Sequence, residues 1–341
     1  MTLLGRTIPQ WIIRLLQVAI ALGLLVLIWR SADGPEAARS LVSADWRWLL
    51  LAVLALSLQT VLSALRWRLT ARQLGIRLGA RQAIGEYYLS QVVNQSLPGG
   101  MIGDAGRAVR SRSQAGLVAA GQAVVFERLA GQIAMFATLT VAFLATLAVP
   151  GGFEWPSWLL APVAILVAAG LCLPVLAQAA TYLPGAAGRA LRQVRGALHA
   201  ALAARPALAG QIVLSLGTTL CNLAAFAFCA RAVGVDLGLA ATAALVPLIL
   251  FTMLIPISIS GWGLREGAAA TLLPVAGATA SGGLAASVAF GLAFIAAVLP
   301  GFLFLWFGQR AEARQIAQVP AEAPNETIRR AASPCLSREQ P

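Results

Sequence analysis

Apolar runs long enough to cross a bilayer, joined by short arginine-bearing connectors, leave this chain few ways to fold. The first run covers residues 12–29 and the second 48–65. As helices at ~1.5 Å per residue, each reaches about 27 Å, close to the ~30 Å hydrocarbon core of a membrane. Further runs cover 115–149, 158–180, 207–230, 240–259, 267–281 and 284–307. With 59% hydrophobic and 11% charged residues, the 341-residue chain holds too little charge to cover a water-facing surface. Inside lipid, each backbone N–H and C=O must find its partner within the protein, which makes helix the expected state. The expected fold is therefore all-α: a polytopic transmembrane helical bundle with about six to eight crossings and two broken or re-entrant segments. Residues 1–308 form the membrane domain, and 309–341 read as a polar, disordered cytoplasmic tail. The first run is long for a signal peptide, and no small-x-small cleavage pattern follows it, so it reads as an uncleaved anchor.

The basic residues give the orientation. All 25 are arginine, against 13 acidic residues, for a formal net charge of +12. Residues 66–82 carry Arg66, Arg68, Arg72, Arg77 and Arg81 with no acid, and 182–206 carry Arg189, Arg192, Arg195 and Arg205. Basic connectors are retained in the cytoplasm. The expected location is the cytoplasmic (inner) membrane, multi-pass, with both termini inside. Because the charge lies in short connectors between apolar spans, a nucleic-acid partner is not expected. Cys172, Cys221, Cys229 and Cys335 form no CxxC pair, and His199 is the single histidine, so neither a metal site nor a cofactor is expected. No nucleophile–base pair and no nucleotide-binding loop is apparent, and the expectation is a protein that is not an enzyme.

Two stretches break the pattern. Residues 87–97 are short and polar, with Gln91, Asn94, Gln95 and Ser96, and are followed by Pro98, Gly99 and Gly100, then Gly103, Asp104 and Arg107. This reads as a helix that enters, breaks and returns to the same side. The second break, residues 256–266, echoes the first: Pro, Gly five residues later and Arg nine residues later coincide (Pro256, Gly261, Arg265), with Glu266 as the nearby acid. Paired Pro/Gly-interrupted segments are the sequence pointer to a transporter site built from discontinuous helices. Between them in sequence, Glu127 and Arg128 sit inside an apolar run, where insertion of a charge costs ~2.5–3.5 kcal/mol. Such charges need partners in the breaks: Glu127 toward Arg107 or Arg265, Arg128 toward Asp104 or Glu266. They either staple the broken helices to the long one or help bind a lipid phosphate, for which a guanidinium offers two parallel hydrogen bonds. The candidate substrate-binding residues are Asn94, Pro98, Gly99, Gly103, Asp104, Arg107, Glu127, Arg128, Gly261, Arg265 and Glu266.

In this order, Arg66-Trp67-Arg68, Asn94 through Pro98-Gly99-Gly100 to Gly103-Asp104 and Arg107, the Val125-Phe126-Glu127-Arg128 step, and Pro256 through Gly261-Trp262-Gly263 to Arg265-Glu266-Gly267 resemble the lysylphosphatidylglycerol synthase transmembrane-region family, also described as flippase-like membrane proteins. The resemblance covers roughly residues 10–308. It implies a helical domain that moves a lipid between leaflets, here an anionic, aminoacylated or isoprenoid-type lipid. The soluble aminoacyl-transfer domain of bifunctional members has no counterpart in these 341 residues, so lysyl transfer is not expected. A non-catalytic scaffold of a lipid-synthesis pathway and a membrane-embedded head-group enzyme are the alternatives. The expected partner is a membrane lipid with an anionic head group; a second copy of the chain or a lipid-synthesis enzyme is also compatible with these spans.

Overall fold

A computed structural model describes residues 2–3, 6–7, 10–96, 101–149, 153–255, 260–302 and 304. Pro98, Gly99, Pro256 and the tail 309–341 lie outside the described residues. Apart from a two-residue antiparallel pairing of Thr2–Leu3 with Arg6–Thr7, the described chain is helical: α1 (Gln10–Ser31), α2 (Gly34–Val42), α3 (Trp46–Gln73), α4 (Ala80–Ser96), α5 (Ile102–Ser111), α6 (Gly116–Ala148), α7 (Ser157–Ala180), α8 (Gly185–Leu198), α9 (Arg205–Ala232), α10 (Leu239–Phe251), α11 (Leu264–Leu272) and α12 (Ala280–Val298).

Among the described residues, five helical stretches are long and apolar enough to cross a membrane: α3, α6, α7, α9 and α12 with its extension to Phe302. A sixth arises if α1 and α2, which meet at 93°, count as one bent span. Local chemistry sets their ends. Asp33 caps α2 by accepting from the Glu36 amide, and Asp45 caps α3 by accepting from the Arg47 amide at 2.9 Å. At the other ends of α3 and α9, Gly75 and Gly234 adopt left-handed φ angles of 84° and 85°. The following amides fold back, Ile76 N to Ala71 O and Val235 N to Ala230 O, each at 2.9 Å. The connector 182–206, read from sequence as a basic loop, is mostly helix: α8 followed by one π-helical turn, His199–Ala203.

The central pair is α3 against α9, antiparallel over its length. Asp45 N donates to Ala232 O at one end, and Gln211 Nε2 donates to Thr70 Oγ1 at the other, both at 2.9 Å. Between helices in lipid there is no water to expel, so close packing and polar contacts hold them together. Gly210 and Gly217 of α9 accordingly leave room for Leu69 and Leu62 of α3. Buried Leu56, Phe226, Cys229, Leu245, Ile249 and Phe290 gather α3, α9, α10 and α12 into one core.

The two sequence breaks are helical hairpins that enter from opposite ends of the bundle. In the first, α4 and α5 run antiparallel. Glu86 pairs with Arg110, Ser90 Oγ donates to Asp104 at 3.0 Å, and the Gly103 amide donates to Asn94 Oδ1 at 2.8 Å. Its open end is tied by Gln114, which bonds both the amide and the carbonyl of Arg77. The second lies between α10 and α11, and α11 packs antiparallel to α12: Gly283 lies against the Ala269 carbonyl, and Ser287 bonds Glu266. The hairpin opens near Val235, which packs against Gly282 at the start of α12. Gly261 and Gly263 at its tip have φ of 81° and 88°, a turn that L side chains adopt rarely. The two tips meet where Ser260 Oγ donates to the Asn94 carbonyl at 2.8 Å.

A Cβ at position 283 would approach the Ala269 carbonyl oxygen to 2.5 Å, so the α11–α12 contact depends on glycine there. Gly283→Val should therefore lose about 1–3 kcal/mol by overpacking, read as a lowered melting temperature in detergent. Gly23→Val, where a Cβ meets nothing within 4 Å, should leave it unchanged.

Candidate functional site

The buried charges form one connected network around α6. Glu127 lies eleven residues into α6, about 17 Å from its start at 1.5 Å per residue. Its side chain is fully buried. Oε1 accepts from Arg66 Nη2 at 2.7 Å, Arg66 Nε at 3.2 Å and the Tyr87 hydroxyl at 3.3 Å; Oε2 accepts from Arg107 Nη2 at 3.0 Å. Arg107 also pairs with Asp104 at 3.0 Å, and Arg128 pairs with Asp104. Arg66 extends the chain of bonds to α9 by donating to Thr218 Oγ1 at 2.8 Å. Low surrounding polarity strengthens each of these bonds and makes an unpaired member costly.

Geometry was made for the guanidinium groups. A Cβ at position 131 of α6 would approach Arg66 Nη2 to 2.8 Å, and one at 103 of α5 would run into the Ser90 carbonyl. Glycine at these two positions lets Arg66 reach Glu127 and lets α5 lie against α4. Arg107 is stacked between Trp67 and Tyr87, 4.9 Å and 4.5 Å from the ring centres. These faces attract the cation where its Nε and Nη1 find no hydrogen bond.

The second hairpin repeats the device. Arg265 donates from Nη2 to Glu266 Oε1 at 2.6 Å and from Nε to Ser287 Oγ at 3.0 Å, while Glu266 Oε2 caps α11 by accepting from the Gly263 amide at 2.6 Å. Trp262 and Phe290 flank the guanidinium at 5.1 and 5.4 Å. Gly291 of α12 leaves the space that Arg265 fills.

Beside the first network lies a chamber of about 230 Å³, with polar side chains from α3, α4, α6 and α9 on its wall and apolar ones, Leu250, Met253, Phe290 and Phe294 among them, from the end of α10, the turn after it and α12. Of the residues singled out from sequence, Asn94, Glu127 and Arg128 line it. Asn94 is oriented by its bond to the Gly103 amide, which leaves Nδ2 buried without a hydrogen-bond partner among the described residues. Asp104 and Gly103 stand behind the wall, holding Arg128 and Asn94. Arg107 and Arg265, each 1% exposed, do not line the chamber. Their guanidinium groups are occupied by carboxylates and aromatic rings. Gly261 lies at the tip of the second hairpin, and Glu266 is fully buried with Arg265. The expected partnerships resolve as Glu127 with Arg107 and Arg128 with Asp104. Arg265 and Glu266 pair with each other.

Several lining residues were not singled out from sequence: Gln59, Ser63 and Arg66 of α3, and Thr218, Thr219 and Asn222 of α9. Their spacing carried the signal, since positions four and seven residues apart share one face of a helix. Arg66 in particular reads in sequence as the cytoplasmic end of a span. The structure extends α3 to Gln73 and puts Arg66 about 10 Å inside that end at 1.5 Å per residue. Ala130, Ile133, Leu208, Ile212 and Leu216 line an apolar groove of about 240 Å³ between α6 and α9, whose Ser215 accepts from Arg66 of the chamber wall at 3.5 Å.

The profile of the lysylphosphatidylglycerol synthase TM region matches residues 14–315, which contain both hairpins, the charge network and the chamber. The chain belongs to this family. Neither a curated protein nor a solved structure matches it. Membership makes this a lipid-handling membrane protein, and it gives the two hairpins a context: both fall within the family's shared region.

Replacing Glu127 leaves two buried guanidinium groups without their shared carboxylate. Glu127→Gln should cost about 3–5 kcal/mol, measured as a shift in the unfolding midpoint of the detergent-solubilised protein. In that background Arg66→Gln should cost less than it does alone, because its partner is already gone. Additive losses would show that the two groups do not interact.

Proposed function

We propose that the chain is a lipid flippase, which takes a head group into the polar chamber while the acyl chains stay in the bilayer. The observation that carries this reading is a polar, partly cationic chamber enclosed by membrane-length apolar helices and walled by both hairpin tips. Its volume of about 230 Å³ is below the ~300–1,000 Å³ of sites that enclose a drug-sized ligand, so a head group fits and a whole lipid does not. The groove between α6 and α9, linked to the chamber wall through the Ser215–Arg66 contact, offers an apolar bed for an acyl chain. Membership of a lipid-handling family supports the same reading.

Arg128 is the residue that meets the phosphate. Its side chain lines the chamber and is 36% exposed, whereas Arg107 and Arg265 are enclosed. Three guanidinium groups, Arg66, Arg107 and Arg128, face two carboxylates, Asp104 and Glu127, so the five charged groups of the network among the described residues sum to one positive charge. The arginine-bearing stretches 68–82, 110–112 and 189–205 occupy the end of the bundle at which α3 finishes and α6 and α9 begin. The positive-inside rule assigns that end, and with it both termini, to the cytoplasm of an inner membrane.

Two measurements test the proposal. In reconstituted vesicles, the chain should accelerate loss of head-group accessibility of an anionic fluorescent phospholipid. Arg128→Ala should slow this by roughly 10- to 100-fold, the worth of a charge-assisted hydrogen bond, without lowering the melting point by more than a few degrees. No acceleration for any anionic or isoprenoid lipid would sink the flippase reading and favour the scaffold. For orientation, a cysteine at Gln114 in a chain whose own cysteines are replaced should react with a membrane-impermeant maleimide from the cytoplasmic side, and one at Asp236 from the opposite side.

A further inference from the structure

The wall of the chamber is richer in amides than in charges. Six carboxamide side chains line it: Gln59, Gln91, Asn94, Gln95, Gln132 and Asn222. Gln59 is used locally, donating to Ser63 Oγ at 3.1 Å. Gln91, Gln95, Gln132 and Asn222 make no side-chain hydrogen bond among the described residues, and the buried Nδ2 of Asn94 has no partner. Each carboxamide presents two N–H donors and a carbonyl acceptor. A hydroxyl group is also both donor and acceptor, so a ring or chain of neighbouring hydroxyls can satisfy such a wall on several sides at once.

The carboxylates tell the complementary story. Both oxygens of Glu127 accept from arginine, Asp104 is held by Arg107 and Arg128, and Glu266 is held by Arg265 and the Gly263 amide. A cationic group entering the chamber would leave water beside three guanidinium groups, with the carboxylate oxygens of the described network already engaged by them. Like charges in a low-polarity site repel strongly.

Taking the flippase reading as its ground, we infer that the cargo is a lipid whose head group is a polyhydroxyl moiety on a single phosphodiester, a polyol or glycosyl phosphate, and that a cationic aminoacyl head group is disfavoured. The amides of α3, α4, α6 and α9 bind the hydroxyls, and the Arg128 side of the chamber balances the one negative charge of the phosphodiester. Asn94 is the central contact, because its amide is pre-aimed by the Gly103 bond and its partner atom is missing.

The test uses the full chain in detergent, mixed with equal amounts of phosphatidylinositol, phosphatidylglycerol and lysyl-phosphatidylglycerol, with retained lipid read by native mass spectrometry. Phosphatidylinositol should be retained roughly three- to tenfold over phosphatidylglycerol, the effect of one added neutral hydrogen bond or so, and lysyl-phosphatidylglycerol less than either. Equal or preferential retention of the lysyl lipid, or no preference for the inositol lipid, overturns the inference, and this comparison needs no variant to fold. Asn94→Leu and Gln91→Leu should each reduce the inositol preference while phosphatidylglycerol retention persists; an unchanged preference in both would remove the amides from the account. Soluble inositol 1-phosphate should fail to displace the bound lipid at equal concentration; displacement would mean a soluble polyol phosphate is the ligand. In vesicles, lysyl-phosphatidylglycerol moving as fast as phosphatidylinositol defeats this inference but leaves the flippase reading. A binding preference without any lipid movement defeats the flippase reading instead.

Discussion

One carboxylate organises this protein. Glu127 stands fully buried in α6 and receives hydrogen bonds from Arg66 of α3, Tyr87 of α4 and Arg107 of α5. An isolated charge at that depth would be a liability to insertion. Shared among three elements, it becomes the reason those elements lie where they do. The α4–α5 hairpin has too few apolar residues to hold its place by greasiness, and two pairs anchor it to α6: Arg107 with Glu127 and Asp104 with Arg128. Arg128, next along α6, points to the other side of the same network and brings a cation to the chamber.

The hairpins themselves are built on a common plan. Each inserts an arginine between two aromatic rings, answers it with acidic partners, and clears space for its neighbours with glycine: Arg107 with Trp67, Tyr87 and Gly103, Arg265 with Trp262, Phe290 and Gly291. They enter from opposite ends and touch through Ser260 and the Asn94 carbonyl. Irregular backbone at membrane depth survives where protein or a wet cavity satisfies it, and the contact of the tips beside a polar chamber meets that condition. The weak sequence echo between the two breaks thus corresponds to a spatial relation of the kind that inverted structural repeats produce.

Much of this was legible in the sequence, for physical reasons. Long apolar runs announce spans because lipid tolerates little else, and Pro/Gly clusters announce breaks because they deprive a helix of its bonds. Charges inside a run announce partners because their burial demands them: of the two partners expected for each, the structure pairs Glu127 with Arg107 rather than Arg265 and Arg128 with Asp104 rather than Glu266. Hydropathy failed where one residue carries two messages. Arg66 adjoins a basic connector, so it reads as a span end, yet helix geometry carries α3 past it to Gln73 and turns the arginine inward. The amides and hydroxyls of α3 and α9 were passed over because isolated polar residues barely lower the hydropathy of a span; their common face appears only when the helices are set side by side. The number of crossings was similarly blurred, since the apolar stretches 240–259 and 267–281 fold into α10 and α11, each too short to span a membrane alone.

The carboxamides of the wall also bear on speed. A site made of a few fixed charges would hold a phosphate-bearing group firmly and release it slowly, as a trap does. Carboxamides spaced around a small room are interchangeable: a hydroxyl leaving Gln91 can find Gln95 or Gln132 a short way along, with little rise in energy between positions. In a flippase, such a surface would serve as a substitute hydration shell, a solid stand-in for the water that a head group surrenders on entering the membrane, and would lower the barrier to passage without creating a deep resting place along the way.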